Sequence, residues 1–316
     1  MNNFDFDRMT LLPRYSIISS RSKCDTKVKF GNHTFEIPVV PSNMESVISE
    51  DLAEKLAEKG FFYILHRFDI DSVSFVKRMK EKNLITSISI GVNDDSYVLV
   101  DKLKSLKLTP DYITIDIAHG HSLKMKNMIT YVKRKLPKTF VIGGNVCTQS
   151  AVNDLEEWGC DAIKCGIGGG SVCTTYHSTG FGNRGWQASM IKNCALESRV
   201  PIIADGSIKE HSDIVKSLVL GATMVMVGGM LAGYEESPGS VVVNNGVEYK
   251  TFWGSASSAQ SGKVNHIEGI EKLVPYSGKS IFTKLQSIKE SLQSAISYGG
   301  GTRIFDLSYV DYVLKN

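Results

Sequence analysis

The chain contains no apolar run of 18 residues, so nothing in it reads as a membrane-spanning helix. It has no Cys-x-x-Cys and no His-Glu-x-x-His, which removes the usual signatures of a zinc site. Its six cysteines show no paired, regular spacing across 316 residues, which points to reduced thiols in the cytosol, not to a secreted disulfide framework. The first residues, Met-Asn-Asn-Phe-Asp-Phe-Asp, lack the basic and apolar regions of a secretory signal. The formal net charge is only +3, and the lysines are spread along helical stretches. A nucleic-acid polymer and a membrane surface are therefore poor partners. The short basic run Lys133-Arg134-Lys135 reads as a solvated helix end. No internal repeat is visible beyond the alternation of strands and helices.

What is present is a hydrophobic fraction of 42%, enough for a large core. Short apolar runs at 37–40, 61–65, 84–90, 112–115, 140–142, 161–165, 201–204 and 224–227 read as strands. Helical patterns fall between them at 49–59, 71–81, 94–107, 122–136, 148–158, 186–198 and 209–220. Apolar strands without alternation suit a parallel sheet covered on both faces. The expected fold is α/β, a (β/α)8 TIM barrel spanning residues 1–316 as one catalytic domain. An open, doubly wound sheet is the alternative, although it usually has fewer strands. Residues 1–36 read as an N-terminal arm. Residues 231–280, polar and containing a hairpin pattern around Asn244-Asn245-Gly246, read as a flap over the working face. Ile281 to Ala295 reads as the closing amphipathic helix.

In such a barrel the chemistry sits at the C-terminal ends of the strands. That rule selects Ser42-Asn43-Met44, His66-Arg67, Asp116 with His119 and His121, Gly143-Gly144-Asn145, Asp205-Gly206 and Gly228-Gly229. The glycines after the last two strands suit a phosphate bound by backbone N–H groups. Gly166-Ile-Gly-Gly-Gly-Ser-Val-Cys173-Thr-Thr175 stands out among these loops. A cysteine that merely fills a core needs no such density of glycine. Here the thiol of Cys173 can be presented to a ligand, and the loop backbone can cradle an anion or a cation.

These stretches carry a resemblance. Ile115-Asp116-Ile-Ala-His119-Gly-His121, the cysteine loop, Pro-Ile-Ile-Ala-Asp205-Gly206, Gly228-Gly-Met-Leu-Ala-Gly233, Phe252-Trp-Gly-Ser-Ala-Ser257, Glu268-Gly269 and Ser297-Tyr298-Gly299 together resemble the IMP dehydrogenase / GMP reductase family over nearly the whole chain. Length and flap place the resemblance on the GMP reductase branch, of bacterial type. It implies NADPH-dependent reductive deamination of GMP to IMP and ammonia through a thioimidate on Cys173. Thr175 and Glu268 would relay the proton to the leaving nitrogen.

By the same resemblance the nucleotide would meet Ser171, Asp205, Gly206, Ser207, Gly228, Gly229, Gly254, Ser255, Ala256 and Gly269. The cofactor would meet Arg67, Asp116, Ile117, Ala118, Ile167 and Gly168. Arg21, Tyr298 and Gly299 would reach a cofactor in an adjacent subunit, which implies a homotetramer. Carbonyls of Gly168, Gly170 and Cys173 are implied for potassium. The chain departs from the family pattern at Gly169, where many relatives have proline, at Tyr176 and Asn265, which replace basic residues, and at Arg67, where animal relatives have lysine.

Three other functions stay open at this point. IMP dehydrogenase chemistry would need a flap Arg-Tyr pair, yet no arginine occurs between Arg199 and Arg303. A nucleotide sensor without turnover would not need the Cys173, Thr175 and Glu268 set. A sugar-phosphate isomerase on the same barrel would leave flap and thiol unused.

Overall fold

The computed structural model describes residues 3–259 and 265–315. The flap expectation for 260–264 lies outside the described residues. In the N-terminal stretch, β1 (Met9–Leu11) is followed by the hairpin of β2 (Val28–Phe30) and β3 (His33–Phe35). Strand β4 (Val39–Pro41) then starts the main sheet, followed by α1 (Glu50–Glu58) and α2 (Ser72–Glu81). The alternation continues with β5 (Ser87–Ile90), α3 (Asp94–Ser105), β6 (Tyr112–Asp116), α4 (Leu123–Lys135), β7 (Phe140–Val146) and α5 (Gln149–Glu157). Next come β8 (Ala162–Cys165), α6 (Thr175–Thr179), α7 (Gln187–Glu197), β9 (Ile202–Asp205), α8 (His211–Val219), β10 (Met224–Val227) and the short α9 (Gly229–Ala232).

Seven strands pair in parallel in the order β4-β10-β9-β8-β7-β6-β5. Residues 61–65, read as a strand from their composition, form no ladder. This eighth stave touches β5 through the single Leu65–Ile88 bridge. Side chains occupy the groups a ladder would use: Ser89 Oγ donates to the Leu65 carbonyl at 2.7 Å, and Tyr63 Oη accepts from Ser87 N–H at 3.2 Å. With that stave the curled sheet is of the (β/α)8 TIM-barrel type.

Alternate residues on each strand serve two different interiors. Ile113, Ile115, Val141, Ile163, Ile202 and Val225 point outward into the large cluster shared with the helices. Val40, Ile64, Tyr112, Ile142, Ala162, Ile203 and Met224 point inward and fill the barrel. The N-terminal arm, expected only as ordered, closes its lower end. Phe30 and Phe35 of the hairpin join the inward cluster, and Phe30 lies 5.1 Å, ring to ring, from both Phe62 and Phe140. Tyr112 Oη ties this plug in place by donating to the Phe30 carbonyl at 2.6 Å.

The helices begin where capping residues dictate. Ser49, Asp71, Ser122 and Thr148 each accept N–H bonds from the first turn of α1, α2, α4 and α5. The basic run at 133–135 is the last turn of α4, where cations meet the negative end of the helix dipole. After β10, strands β11 (Val241–Asn244), β12 (Val247–Trp253) and β13 (Glu271–Pro275) form an antiparallel sheet on the excursion. The expected hairpin is its first half, turning at Asn245 and Gly246; its third strand carried no clear signal. Helix α10 (Ile281–Tyr298) follows, and β14 (Tyr312–Leu314) pairs antiparallel with β1. Among the described residues, no helix is long and apolar enough to cross a membrane.

Because Phe30 is fully enclosed at the barrel's lower end, Phe30→Ala should cost about 3–5 kcal/mol of unfolding free energy. Urea titration would measure it; a loss under about 1 kcal/mol would contradict the plug.

Candidate active site

The loops at the strand C-termini enclose a cavity of about 280 Å³. Its wall includes Asn43, Arg67, Asp116, Asn145, Lys164, Cys173, Thr175, Asp205 and Glu268. Two segments far apart in sequence meet over it. Thr174 N–H donates to the Glu268 carbonyl at 2.8 Å, and Ile270 N–H donates to the Val172 carbonyl at 2.9 Å. Cys173 thereby sits opposite Gly269 in an antiparallel bridge. Glu268 N–H donates in turn to the Ala256 carbonyl at 3.0 Å, so the 254–257 stretch is drawn into the same layer.

This pairing carries the side chains into a chain of contacts. Cys173 Sγ donates to Thr175 Oγ1 at 3.3 Å, and Thr175 Oγ1 donates to Glu268 Oε2 at 2.6 Å. A thiol, a hydroxyl and a carboxylate so arranged can pass a proton between a reacting atom and the acid, with the hydroxyl as carrier.

The cysteine loop is anchored from below. Ser207 N–H and Oγ both donate to the Gly169 carbonyl, at 3.0 and 3.2 Å. Ile167 N–H donates to Asn183 Oδ1 at 2.5 Å, and Gln187 Nε2 donates to the Asp205 carbonyl at 3.0 Å. Asn183 Nδ2 also donates to Gln187 Oε1. Gly166 is required here: at φ +143° a Cβ would fall 1.7 Å from the Asp205 carbonyl oxygen. Gly170 keeps one turn of the loop closed by accepting from Cys173 N–H at 3.0 Å.

At the floor stands an ion cluster that the strand reading passed over. Lys164, in the middle of β8, is almost wholly enclosed, its side chain 4% exposed. Its Nζ lies 2.8 Å from Asp116 Oδ1 and 3.0 Å from Asp205 Oδ2. Asn43 Nδ2 donates to Asp116 Oδ2 at 3.0 Å, and Asn145 Nδ2 to Asp205 Oδ2 at 2.8 Å. Burial opposes the charge on Asp116, yet the Lys164 ammonium and the Asn43 amide outweigh it and hold the carboxyl below its usual range. For Lys164 burial again opposes the charge, and the two carboxylates outweigh it, so its ammonium is held more firmly than usual. Gly144 makes room, since a Cβ there would come within 2.6 Å of the Lys164 Cβ. A lysine inside an otherwise apolar strand was the available signal, and its strand context hid it.

Most of the expected site residues gather here. Ile117, Ala118, Ile167, Gly168, Gly206, Gly254, Ser255 and Ala256 line the cavity with the residues already named. Ser171 and Ser207 line an adjoining cleft that shares Gly168, Gly170 and Cys173. A Cβ on Gly229 would lie 3.7 Å from Ser171 Oγ, and one on Gly228 would lie 3.1 Å from Ser42 Oγ, so these loops face each other closely. Gly269 packs against Ser257. Arg21, Tyr298 and Gly299 are elsewhere: Arg21 donates to Ser294 Oγ at 3.2 Å, Tyr298 is 66% exposed, and Gly299 packs on Val310. They do not join this chain's own cavity.

His121 pairs with Asp154 of α5 at 2.5 Å. Tyr176 is partly exposed beside Gly168, and Asn265 is exposed. Among the described residues, no group of three or more His, Cys, Asp or Glu side chains could hold a metal. The stretch Gly180-Phe-Gly182-Asn-Arg-Gly185 has the spacing of a dinucleotide fingerprint. It follows helix α6 and not a strand, so it lacks that motif's context.

Known proteins share this arrangement of sequence. The family model for the IMP dehydrogenase / GMP reductase domain matches residues 3–314. The chain is 52% identical to a GMP reductase of Albidiferax ferrireducens over 313 residues, covering 99% of this chain and 96% of the relative. It is 50% identical to a GMP reductase of Lactobacillus delbrueckii subsp. bulgaricus over 315 residues, covering 99% and 95%. A GMP reductase of Pediococcus pentosaceus is 51% identical over 315 residues, covering 99% and 97%.

His66, at the mouth after the eighth stave, is 5% exposed and accepts from Phe68 N–H at 3.3 Å. Burial lowers its pKa to about 4. The native chain therefore stays neutral at His66 while an unfolded one takes up a proton below about pH 6.5, so this group erodes stability as pH falls from 6.5 towards 4. His66→Gln should flatten that part of the stability–pH curve by up to about 3 kcal/mol. Unchanged slopes in denaturant titrations across pH 4–7 would refute it.

Proposed function

This chain belongs to the IMP dehydrogenase / GMP reductase family, and from that premise we propose that it is an NADPH-dependent GMP reductase. It would act in purine nucleotide salvage as one cytoplasmic catalytic barrel, with 231–280 serving as its flap. The observation that carries the reading is the contact chain from Cys173 through Thr175 to Glu268. That set can add a thiolate to a purine carbon and also protonate a departing nitrogen.

Cys173 Sγ adds to C2 of the guanine ring, and its proton passes through Thr175 to Glu268. A free thiol is only a few per cent ionised at neutral pH, yet the thiolate is a strong nucleophile. The 2-amino group leaves poorly until it is protonated. Thr175 hands it the proton that Glu268 supplies, ammonia departs, and a thioimidate joins Cys173 to the ring. NADPH supplies hydride to that carbon when bound. The sulfur then leaves, and IMP is released. For each GMP consumed, one NADPH is oxidised and one ammonia is formed.

Ribose and phosphate fall to the loops around Asp205, Gly206, Ser207, Ser171, Gly228 and Gly229, with Gly254, Ser255, Ala256 and Gly269 covering the base. Arg67, Asp116, Ile117, Ala118, Ile167 and Gly168 would hold the cofactor. Its far end would meet Arg21, Tyr298 and Gly299 of a neighbouring copy in a homotetramer, which fits their standing outside the lining of this chain's own cavity. Potassium suits the loop carbonyls of Gly168, Gly170 and Cys173. That of Gly170 keeps a lone pair after accepting from Cys173 N–H.

The deciding experiment incubates the protein with GMP and NADPH, and separately with IMP and NAD. Loss of NADPH absorbance with equimolar ammonia is expected in the first tube. Growth of NADH absorbance in the second would place the chain with the dehydrogenases. Cys173→Ala should lower turnover at least ~10³-fold, and retained activity would rule out the covalent route.

A further inference from the structure

The floor of the cavity holds two carboxylates on opposite sides of one ammonium. Asp116 ends β6, Asp205 ends β9, and Lys164 stands between them on β8. Lys164 uses two of its donors on Asp116 Oδ1 and Asp205 Oδ2, at 2.8 and 3.0 Å. Asn43 Nδ2 braces the other oxygen of Asp116, and Asn145 Nδ2 shares Asp205 Oδ2 with Lys164. The cluster thus carries one net negative charge, and Arg67 adds its field to Asp116. In the proposed reaction Asp116 faces the cofactor and Asp205 faces the nucleotide ribose. No direct contact joins Lys164 to Cys173, Thr175 or Glu268 among the described hydrogen bonds.

We propose that Lys164 is a positioning residue: its single ammonium aims both carboxylates, and so makes the nucleotide subsite and the cofactor subsite depend on one shared charge. The inference rests on the GMP reductase reading for what each carboxylate receives. The geometry supports it in a specific way. Without the ammonium, two like charges would share a site with little water. One carboxylate would turn away or take up a proton. The loss would be shared between the two, since whichever carboxylate is turned or protonated can no longer accept both hydroxyls of a ribose as it does when ionised and aimed. Buried ion pairs are poor contributors to stability in their own right, so simple support of the fold is a weak reason for this lysine.

Three proteins test the idea: wild type, Lys164→Met and the double variant Lys164→Met/Asp116→Asn. GMP and NADPH binding are titrated separately at equilibrium, and NADPH oxidation is followed with each reactant varied. Lys164→Met should weaken both ligands at least ~10-fold, with kcat at saturation changed less than either KM. The double variant removes the second carboxylate's charge. It should return GMP affinity to within ~3-fold of wild type while NADPH stays weak, since a residual misplacement of that size is under about 1 kcal/mol. A structural role would not give this one-sided rescue.

Ligand affinities within twofold of wild type in Lys164→Met would overturn the proposal, as would a folded double variant that binds GMP no better than the single one. If Lys164→Met does not fold, the double variant alone decides against wild type: GMP affinity within ~3-fold with NADPH weakened supports the proposal, and GMP weakened at least ~10-fold overturns it. Wild type that binds both ligands without turnover would sink the GMP reductase reading and leave the test of Lys164 in force. Wild type that binds neither would overturn both.

Discussion

Backbone pairing between the cysteine loop and the 268–270 segment governs the site. Two N–H donors, from Thr174 and Ile270, fix the register. A slip of one residue would turn the Glu268 side chain to the opposite face, because alternate residues of an extended strand face opposite ways. The 2.6 Å contact between Thr175 and Glu268 is therefore a product of main-chain geometry. Chemistry that needs thiol, hydroxyl and carboxylate in one line is delegated to a ladder only a few bonds long.

The barrel below supplies the second constraint. Its inward residues change character with height. Phe30, Phe62 and Tyr112 seal the lower end, Ile142, Ala162 and Ile203 fill the middle, and Asp116, Lys164 and Asp205 emerge at the mouth. Polar groups can be carried on buried strands only where partners satisfy them. Here the two aspartates, the lysine and the Nδ2 groups of two asparagines pair with one another and leave a charged floor under the cavity. A rigid apolar plug and a polar rim are thus products of the same two-residue alternation.

Much of this was legible beforehand, for physical reasons. Helix starts at Ser49, Asp71, Ser122 and Thr148 were readable because capping is local. Cys173 stood out because its glycines serve a close approach that composition reveals. The hairpin around Asn245 and Gly246 was readable from its turn chemistry. What escaped depends on partners distant in sequence. Residues 61–65 look like a strand, but whether they ladder depends on Tyr63 and Ser89 taking hydrogen bonds first. Lys164 looked incidental in β8 because its two counter-charges lie on β6 and β9. The β2–β3 plug was hidden because its short strands show no long period. Asn183 and Gln187 brace the loop through contacts that no spacing rule announces.

The seam between β4 and β10 has a consequence for how the chain comes into being. Among the described residues, Val39–Pro41 finds its ladder partner only in Val225–Val227. A ribosome delivers the chain from its N-terminus, so β4 must wait as a bare edge while every intervening strand emerges. Helices α1 to α8 can form meanwhile from local contacts, but the ring cannot shut before β10 arrives. Nascent-chain stickiness should concentrate on that waiting edge, and the short, three-residue length of β4 keeps the exposed template small.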